Sequence, residues 1–168
     1  QITKKEQDVQ SVLEPLRKMM NPLSTLPKVQ FYEGRDGMIE LYNKILDLHS
    51  PIDSFEDKGE MAAFIPEYVK KFIAARVEHN IFNRVICPAG NFINIPTPKE
   101  LRDTWHVPAE LFPFTGDIKI CKDLVSIFSF EKDTAVAIAI RHKDIADNFR
   151  HLFNLYWDTL RQRYLNHV

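Results

Sequence analysis

From Asp117 the chain alternates polar and apolar residues through Asp-Ile-Lys-Ile-Cys121. It breaks at Lys122-Asp123 and resumes as Leu124-Val-Ser-Ile-Phe-Ser-Phe130, rich in β-branched and aromatic side chains. Alternation on both sides of a short polar break predicts a β-hairpin. Glu131-Lys-Asp-Thr134 then leads into Ala135-Val-Ala-Ile-Ala-Ile140, whose nearly unbroken apolar run predicts a strand covered on both faces and so central in its sheet. From His142 the period lengthens to about 3.6, placing Ile145, Phe149, Leu152, Phe153, Tyr156, Leu160 and Tyr164 on one stripe. Lys143, Asp147, Arg150, Asp158 and Arg161 fall opposite, so this segment reads as a long helix laid on the sheet.

Upstream, Lys28-Val-Gln-Phe-Tyr32 reads as a strand, Glu33-Gly34 as a turn, and Met38, Ile39, Tyr42, Ile45, Leu46 and His49 as one face of a helix. Pro51 to Glu56 is a second strand, followed by a helical turn from Lys58 to Phe64. Pro66 is a natural first residue for a longer helix with Tyr68, Val69, Phe72, Ile73 and Val77 inward. Phe82 to Cys87 is a third strand, stopped by Pro88. Alternating strands and helices predict an α/β domain with a largely parallel sheet. The pattern weakens from Pro88 to Val107, where only Pro98 to Thr104 reads as a short helix inside the longest loop, and Glu110 to Phe114 is extended. At the other end, Val9, Val12, Leu13, Leu16 and Met20 recur at spacings of three and four, predicting an amphipathic helix that Pro15 kinks or breaks. Two regions follow: a connector helix and linker over 1–26 and an α/β domain over 27–168. The connector stripe is covered either by its own domain or by a second copy, and the second case makes the chain a homodimer.

A chain of 168 residues, 45% hydrophobic and 27% charged, suits one domain with its own core. No apolar run approaches the ~20 residues of a membrane span, which excludes a membrane partner of that kind. Lys and Arg total 22 against 23 for Asp and Glu, so the net charge of −1 gives no general attraction to nucleic acid. Cys87 and Cys121 both sit in apolar strand-like contexts, which fits a reducing, cytoplasmic setting. The first residue is Gln1, as expected for a trimmed chain or the later part of a longer one.

Gly34-Arg-Asp-Gly37 punctuates a strand-to-helix turn and has too few glycines for a phosphate loop. Neither Cys-x-x-Cys nor His-Glu-x-x-His occurs, nor does a Gly-x-Ser-x-Gly elbow, so no metal, cofactor or serine nucleophile is predicted. Arg141-His-Lys-Asp144 sits where the last helix begins; Asp144 there favours the helix dipole, and the alternative is an anion site with His142 and Lys143. Open α/β sheets hold ligands at the carboxyl ends of their strands. That places a small-molecule site among Glu33, Arg35, Glu56, Asn91 and Arg141.

Several phrases in order resemble one family: Pro27-Lys-Val-Gln-Phe-Tyr-Glu-Gly34, Ile52-Asp-Ser-Phe55, Arg84-Val-Ile-Cys-Pro88, Phe112-Pro-Phe, Ile118-Lys-Ile-Cys-Lys-Asp-Leu-Val-Ser-Ile127 and Ile145-Ala-Asp-Asn-Phe-Arg-His-Leu-Phe153. The chain resembles the effector domain of the TrmB-like transcription regulators. The resemblance implies a phospholipase-D-like mixed sheet flanked by helices and preceded by the connector helix. It also implies a homodimer through Val9, Val12, Leu13, Leu16 and Met20, and DNA contact only through an upstream winged-helix domain that this sequence lacks. An active phospholipase D fold needs His-x-Lys, and none of the six histidines has a lysine two residues on. The expectation is therefore no catalytic residue, no enzyme, and a non-catalytic effector-sensing and dimerisation domain. The alternatives are a phosphodiesterase-like hydrolase with a rearranged site and a ligand-free protein-interaction module.

Overall fold

The computed structural model describes residues 26–165. The elements run β1 (Lys28–Glu33), α1 (Gly34–Leu46), β2 (Ile52–Glu56), α2 (Lys58–Phe64), α3 (Pro66–Glu78), β3 (Asn83–Ala89), β4 (Ile93–Thr97), a 3-10 turn (Pro98–Glu100), β5 (Arg102–Pro108), β6 (Asp117–Cys121), β7 (Leu124–Ser129), β8 (Val136–Arg141) and α4 (Lys143–Leu165). One eight-stranded sheet takes them in the order β1-β8-β7-β6-β2-β3-β5-β4. The β2–β3 and β3–β5 pairs are parallel and the others antiparallel, so the sheet is mixed.

Helices cover both faces. Beneath α1, α2 and α3 lie Tyr32, Cys121, Leu124, Phe128, Ala137 and Ala139 with Met38, Leu41, Tyr42, Ile45 and Phe72. Tyr42 anchors this layer, stacking on Phe128 at 4.3 Å between centroids and meeting Phe72 edge-on at 5.2 Å. The other face carries Ile86, Trp105, Val107 and Ile120 against Phe153, Trp157 and Leu160 of α4. Arg84 ties α4 down: its Nε donates to Asp53 Oδ1 at 2.7 Å, its NH2 donates to Asn154 Oδ1 at 2.8 Å, and its guanidinium lies 4.9 Å from the Phe153 ring centre. Helix starts follow local chemistry. Asp57 caps α2 by accepting from Gly59 N at 2.9 Å, and Pro66 opens α3.

The hairpin is β6–β7, and its pairing of Ile120 with Val125 follows the alternation. Several expectations are corrected. The strand after Thr134 is β8, second from the edge: Ala137 and Ala139 are buried under α1, but Val136, Ile138 and Ile140 are only half-covered on the other face. Leu152 belongs to the apolar stripe of α4 in sequence yet is 62% exposed, because it lies at the margin of the helix face that meets the sheet. Pro88 does not stop β3, which continues to Ala89 beside β5. The weak region holds two strands, β4 and β5, joined by a 3-10 turn with Leu101 in the left-handed region at φ 46°. Partnership with β3 makes β5 a strand, and that information is not local. The Val9, Val12, Leu13, Leu16 and Met20 stripe lies outside the described residues.

Gly116 sets the entry to β6. Its φ is +77°, its N–H donates to Glu60 Oε2 at 2.6 Å, and its carbonyl accepts from Asp57 N at 2.8 Å. A Cβ there would lie 2.2 Å from the Phe128 carbonyl oxygen. Gly116→Ala is expected to cost about 2–4 kcal/mol by adding left-handed strain to a clash with backbone. Urea unfolding of the variant checks this; a loss under ~0.5 kcal/mol would show that the turn relaxes freely.

Candidate functional site

Alternation along β6 sends Ile118 and Ile120 toward α4 and Asp117 and Lys119 toward the α1–α3 side. Helices cover that side, so both charged groups are buried, each 1% exposed. Lys119 Nζ lies 2.5 Å from Glu56 Oε1 and 3.5 Å from Asp117 Oδ2. The Tyr42 hydroxyl donates to Asp117 Oδ2 at 2.7 Å, Asn83 Nδ2 donates to Glu56 Oε1 at 3.4 Å, and Ser54 Oγ donates to Asn83 Oδ1 at 3.0 Å. Four strands and helices thus meet in one polar cluster.

Burial works against every charge in it. For Glu56 the adjacent Lys119 ammonium overcomes burial and brings the carboxyl down to about 2. For Asp117 burial prevails over Lys119, helped by the Glu56 carboxylate, and the carboxyl is pushed up to about 7. Burial also opposes the Lys119 charge, but Glu56 and Asp117 together hold that ammonium above its usual range. One cation, one anion and one neutral acid result below about pH 7, so the cluster carries no net charge.

Beside it, between α3 and the sheet, lies a cavity of about 180 Å³ whose polar wall is Glu56, Lys58, Arg76, Asn83, Arg102 and Lys119. Arg76 spends its guanidinium on carbonyls, donating to Ile81 O at 2.6 Å, Glu100 O at 2.5 Å and Leu101 O at 2.9 Å. Arg102 NH2 pairs with Glu100 Oε2 at 2.8 Å, but its Nε is buried without an acceptor. Lys58 Nζ donates to Thr104 Oγ1 at 3.5 Å, and among the described residues no carboxylate lies within ion-pair distance of it. Burial lowers the Lys58 pKa. The wall is therefore cationic in excess, a setting for an anion. Nearby, Cys87 Sγ and His106 Nδ1 are 3.6 Å apart, and burial pushes the thiol up and the imidazole down, which favours the neutral form of both. Among the described residues no group of His, Cys, Asp and Glu could hold a metal ion.

Of the residues expected to hold a ligand, Glu56 lines this cavity. The others lie apart from it, and of them only Glu33 and Arg35, at the junction of β1 and α1, are near each other. Glu33 is exposed at the end of β1, Arg35 is 3.8 Å from Glu67, and Asn91 is exposed after β3. Arg141 pairs with Asp123 at 2.8 Å at the opposite end of the strands from Glu33 and Glu56, because β8 runs antiparallel to β1 and β7. Lys58, Arg76, Arg102, Asp117 and Lys119 escaped sequence reasoning. The polar side of an alternating strand goes to solvent by default, and only a helix packed over it reverses that. One signal was available: Asp117-Ile-Lys119 has the i, i+2 spacing of His-x-Lys, with a carboxylate in place of the imidazole.

Lys119→Met is expected to cost about 3–5 kcal/mol, since it strands the Glu56 carboxylate in the interior; adding Glu56→Gln should restore part of the loss. The two carboxyls act oppositely with pH. Glu56, lowered in the folded state, contributes stability above its unfolded pKa that is lost as pH falls toward about 2. Asp117, raised, contributes stability at acid pH that is lost as pH rises through about 7. Asp117→Asn should remove the loss on the alkaline side while leaving the acid limb in place, as read by unfolding midpoints across pH.

No family model matches the chain, and no curated protein matches it either. Solved structures do. TrmBL2, described as an archaeal chromatin protein with a novel mode of DNA binding, matches at 12% identity and TM-score 0.54 over 94% of this chain and 64% of its own. The phospholipase D family member Nuc from Salmonella typhimurium matches at 14% identity and TM-score 0.56 over 79% of this chain and 95% of its own. NucT from Helicobacter pylori matches at 8% identity and TM-score 0.52 over 79% and 97%. The chain spans less than two thirds of TrmBL2, and at these identities the likeness is one of fold. That fold is a phospholipase-D-like mixed sheet flanked by helices. Nuc is a phospholipase D family member, so the step from a missing His-x-Lys to a chain that is not an enzyme is corrected: a phospholipase D family member and a chromatin protein share this architecture.

Proposed function

We propose that the chain is the effector-sensing domain of a TrmB-like transcription regulator, and that the effector is a small anion held in the cavity under α3. The observation that carries this is the cationic excess of its wall, above all Lys58, whose ammonium has a 3.5 Å contact to the Thr104 hydroxyl and, among the described residues, no carboxylate within ion-pair distance. An inorganic anion, or the anionic head of a metabolite, would give Lys58 the charge partner it lacks. The cavity is small, so only a compact group enters fully. Lys58 opens α2 and Arg76 sits on α3, so occupancy bears on the packing of both helices against the sheet. In this reading the protein is a homodimer, an upstream winged-helix domain contacts DNA, and the protein works in the cytoplasm. Likeness to a chromatin protein over 94% of this chain supports the regulator assignment.

A second reading is favoured by the Asp117-Ile-Lys119 spacing on β6 and by the likeness to Nuc, a phospholipase D family member: a phosphodiesterase-like hydrolase with a rearranged site. One experiment separates the two. Inorganic phosphate and sulfate are titrated against the full chain while thermal unfolding is followed. At a hundredfold excess over Kd, binding should add about 2.7 kcal/mol, roughly 5–10 °C for a chain of this size. Lys58→Met should lose the shift while keeping its far-UV spectrum. No shift with either anion would leave a ligand-free interaction module, and turnover of a chromogenic diester that Lys58→Met abolishes would move the assignment to the hydrolase.

A further inference from the structure

The two edges of the sheet are built differently. β4 is short and carries Pro96, which has no N–H to offer another strand, and Pro98 follows it at once. β1 has none of these devices. It runs six residues, Lys-Val-Gln-Phe-Tyr-Glu, without proline or glycine, and pairs with β8 residue for residue from Lys28↔Arg141 to Glu33↔Val136. Among the described residues, a register without a bulge leaves its outer row of backbone groups continuous and unpaired within the sheet. Charges occupy only its two ends.

Its side chains divide cleanly. Tyr32 is buried under α1, whereas Val29 and Phe31 point to the opposite face and are 49% and 67% exposed. They continue an apolar strip with their β8 partners Ile140 and Ile138, which are themselves half-covered. A large aromatic on an open, flat edge strand is what isolated sheets avoid. We propose that this edge pairs antiparallel with the same edge of a second copy, across a two-fold axis normal to the sheet, joining two eight-stranded sheets into one.

Face matching sets the register. A two-fold axis normal to the sheet preserves its faces, so directly opposed residues must lie on the same face and their numbers must sum to an even value. Centring the axis on Gln30 sets Val29 against the partner's Phe31 and Phe31 against the partner's Val29, covering all four. Gln30 then opposes the partner's Gln30, and Lys28 opposes the partner's Tyr32. Centring on Phe31 instead would set Val29 against the partner's Glu33, an apolar group against a carboxylate, so the first register is the self-complementary one. A six-residue ribbon is a small interface, and the dimer is accordingly weak, in the micromolar range. The pairing does not depend on an effector.

Sedimentation equilibrium on the full chain, with and without Phe31→Lys, tests the proposal. The parent should dimerise with rising concentration. The variant should stay monomeric at the same unfolding midpoint, because Phe31 is exposed within one copy. Gln30→Cys should form a disulfide-linked dimer on mild oxidation, since opposed Cβ atoms across two strands lie about 5 Å apart and the native Cys87 and Cys121 are buried; Val29→Cys should not. A parent that remains monomeric at high micromolar concentration overturns the proposal, and so does a dimer that Phe31→Lys leaves unchanged, the result expected if the Val9-to-Met20 stripe does the pairing.

Discussion

A lysine ammonium in the interior of a sheet is the constraint to which the rest of this structure answers. Removing Lys119 from water costs several kcal/mol unless a carboxylate is held against it with good geometry. Glu56 at the end of β2 supplies that carboxylate, so β2 and β6 must lie side by side in the register that opposes Glu56 to Asp117. Tyr42 brings α1 to the same point through Asp117, and Asn83 brings β3 through Glu56. Shifting β6 by one residue would bury Ile118 among these groups and turn Lys119 toward Phe153. The cluster therefore specifies strand order and register more than it adds net stability, since a buried ion pair roughly breaks even against apolar residues of the same size.

The cavity follows from the same arrangement. Lys119 and Glu56 form its floor, and α2 and α3 roof it with the Lys58 and Arg76 side chains. Arg76 cannot leave, because its three carbonyl contacts hold the turn before β5 against the end of α3. Lys58 and Arg102 are less committed, and that difference separates cations that build the fold from cations with capacity left over. A chromatin protein and a phospholipase D family member share the architecture, so the fold alone does not choose between sensing and catalysis.

Much of this was legible in the residues themselves. Alternation located β1, β2, β6 and β7, the longer period located α1, α3 and α4, and Pro66 marked the start of α3 to the residue, because these signals reside in neighbours a few positions apart. Glu56 was also identified as a candidate from its place at a strand end. What only the tertiary structure decided was which polar positions lose their water. Asp117 and Lys119 are ordinary outward residues of an alternating strand until α1 and α3 pack over that face, and Arg76 is an ordinary helix cation until the turn at Glu100 closes on it. The same holds for β5, which is a strand because β3 lies beside it, and for β8, whose apolar run looked central although its second face stays half open. Burial and strand partnership are set by segments far apart in the chain, and no local pattern carries them.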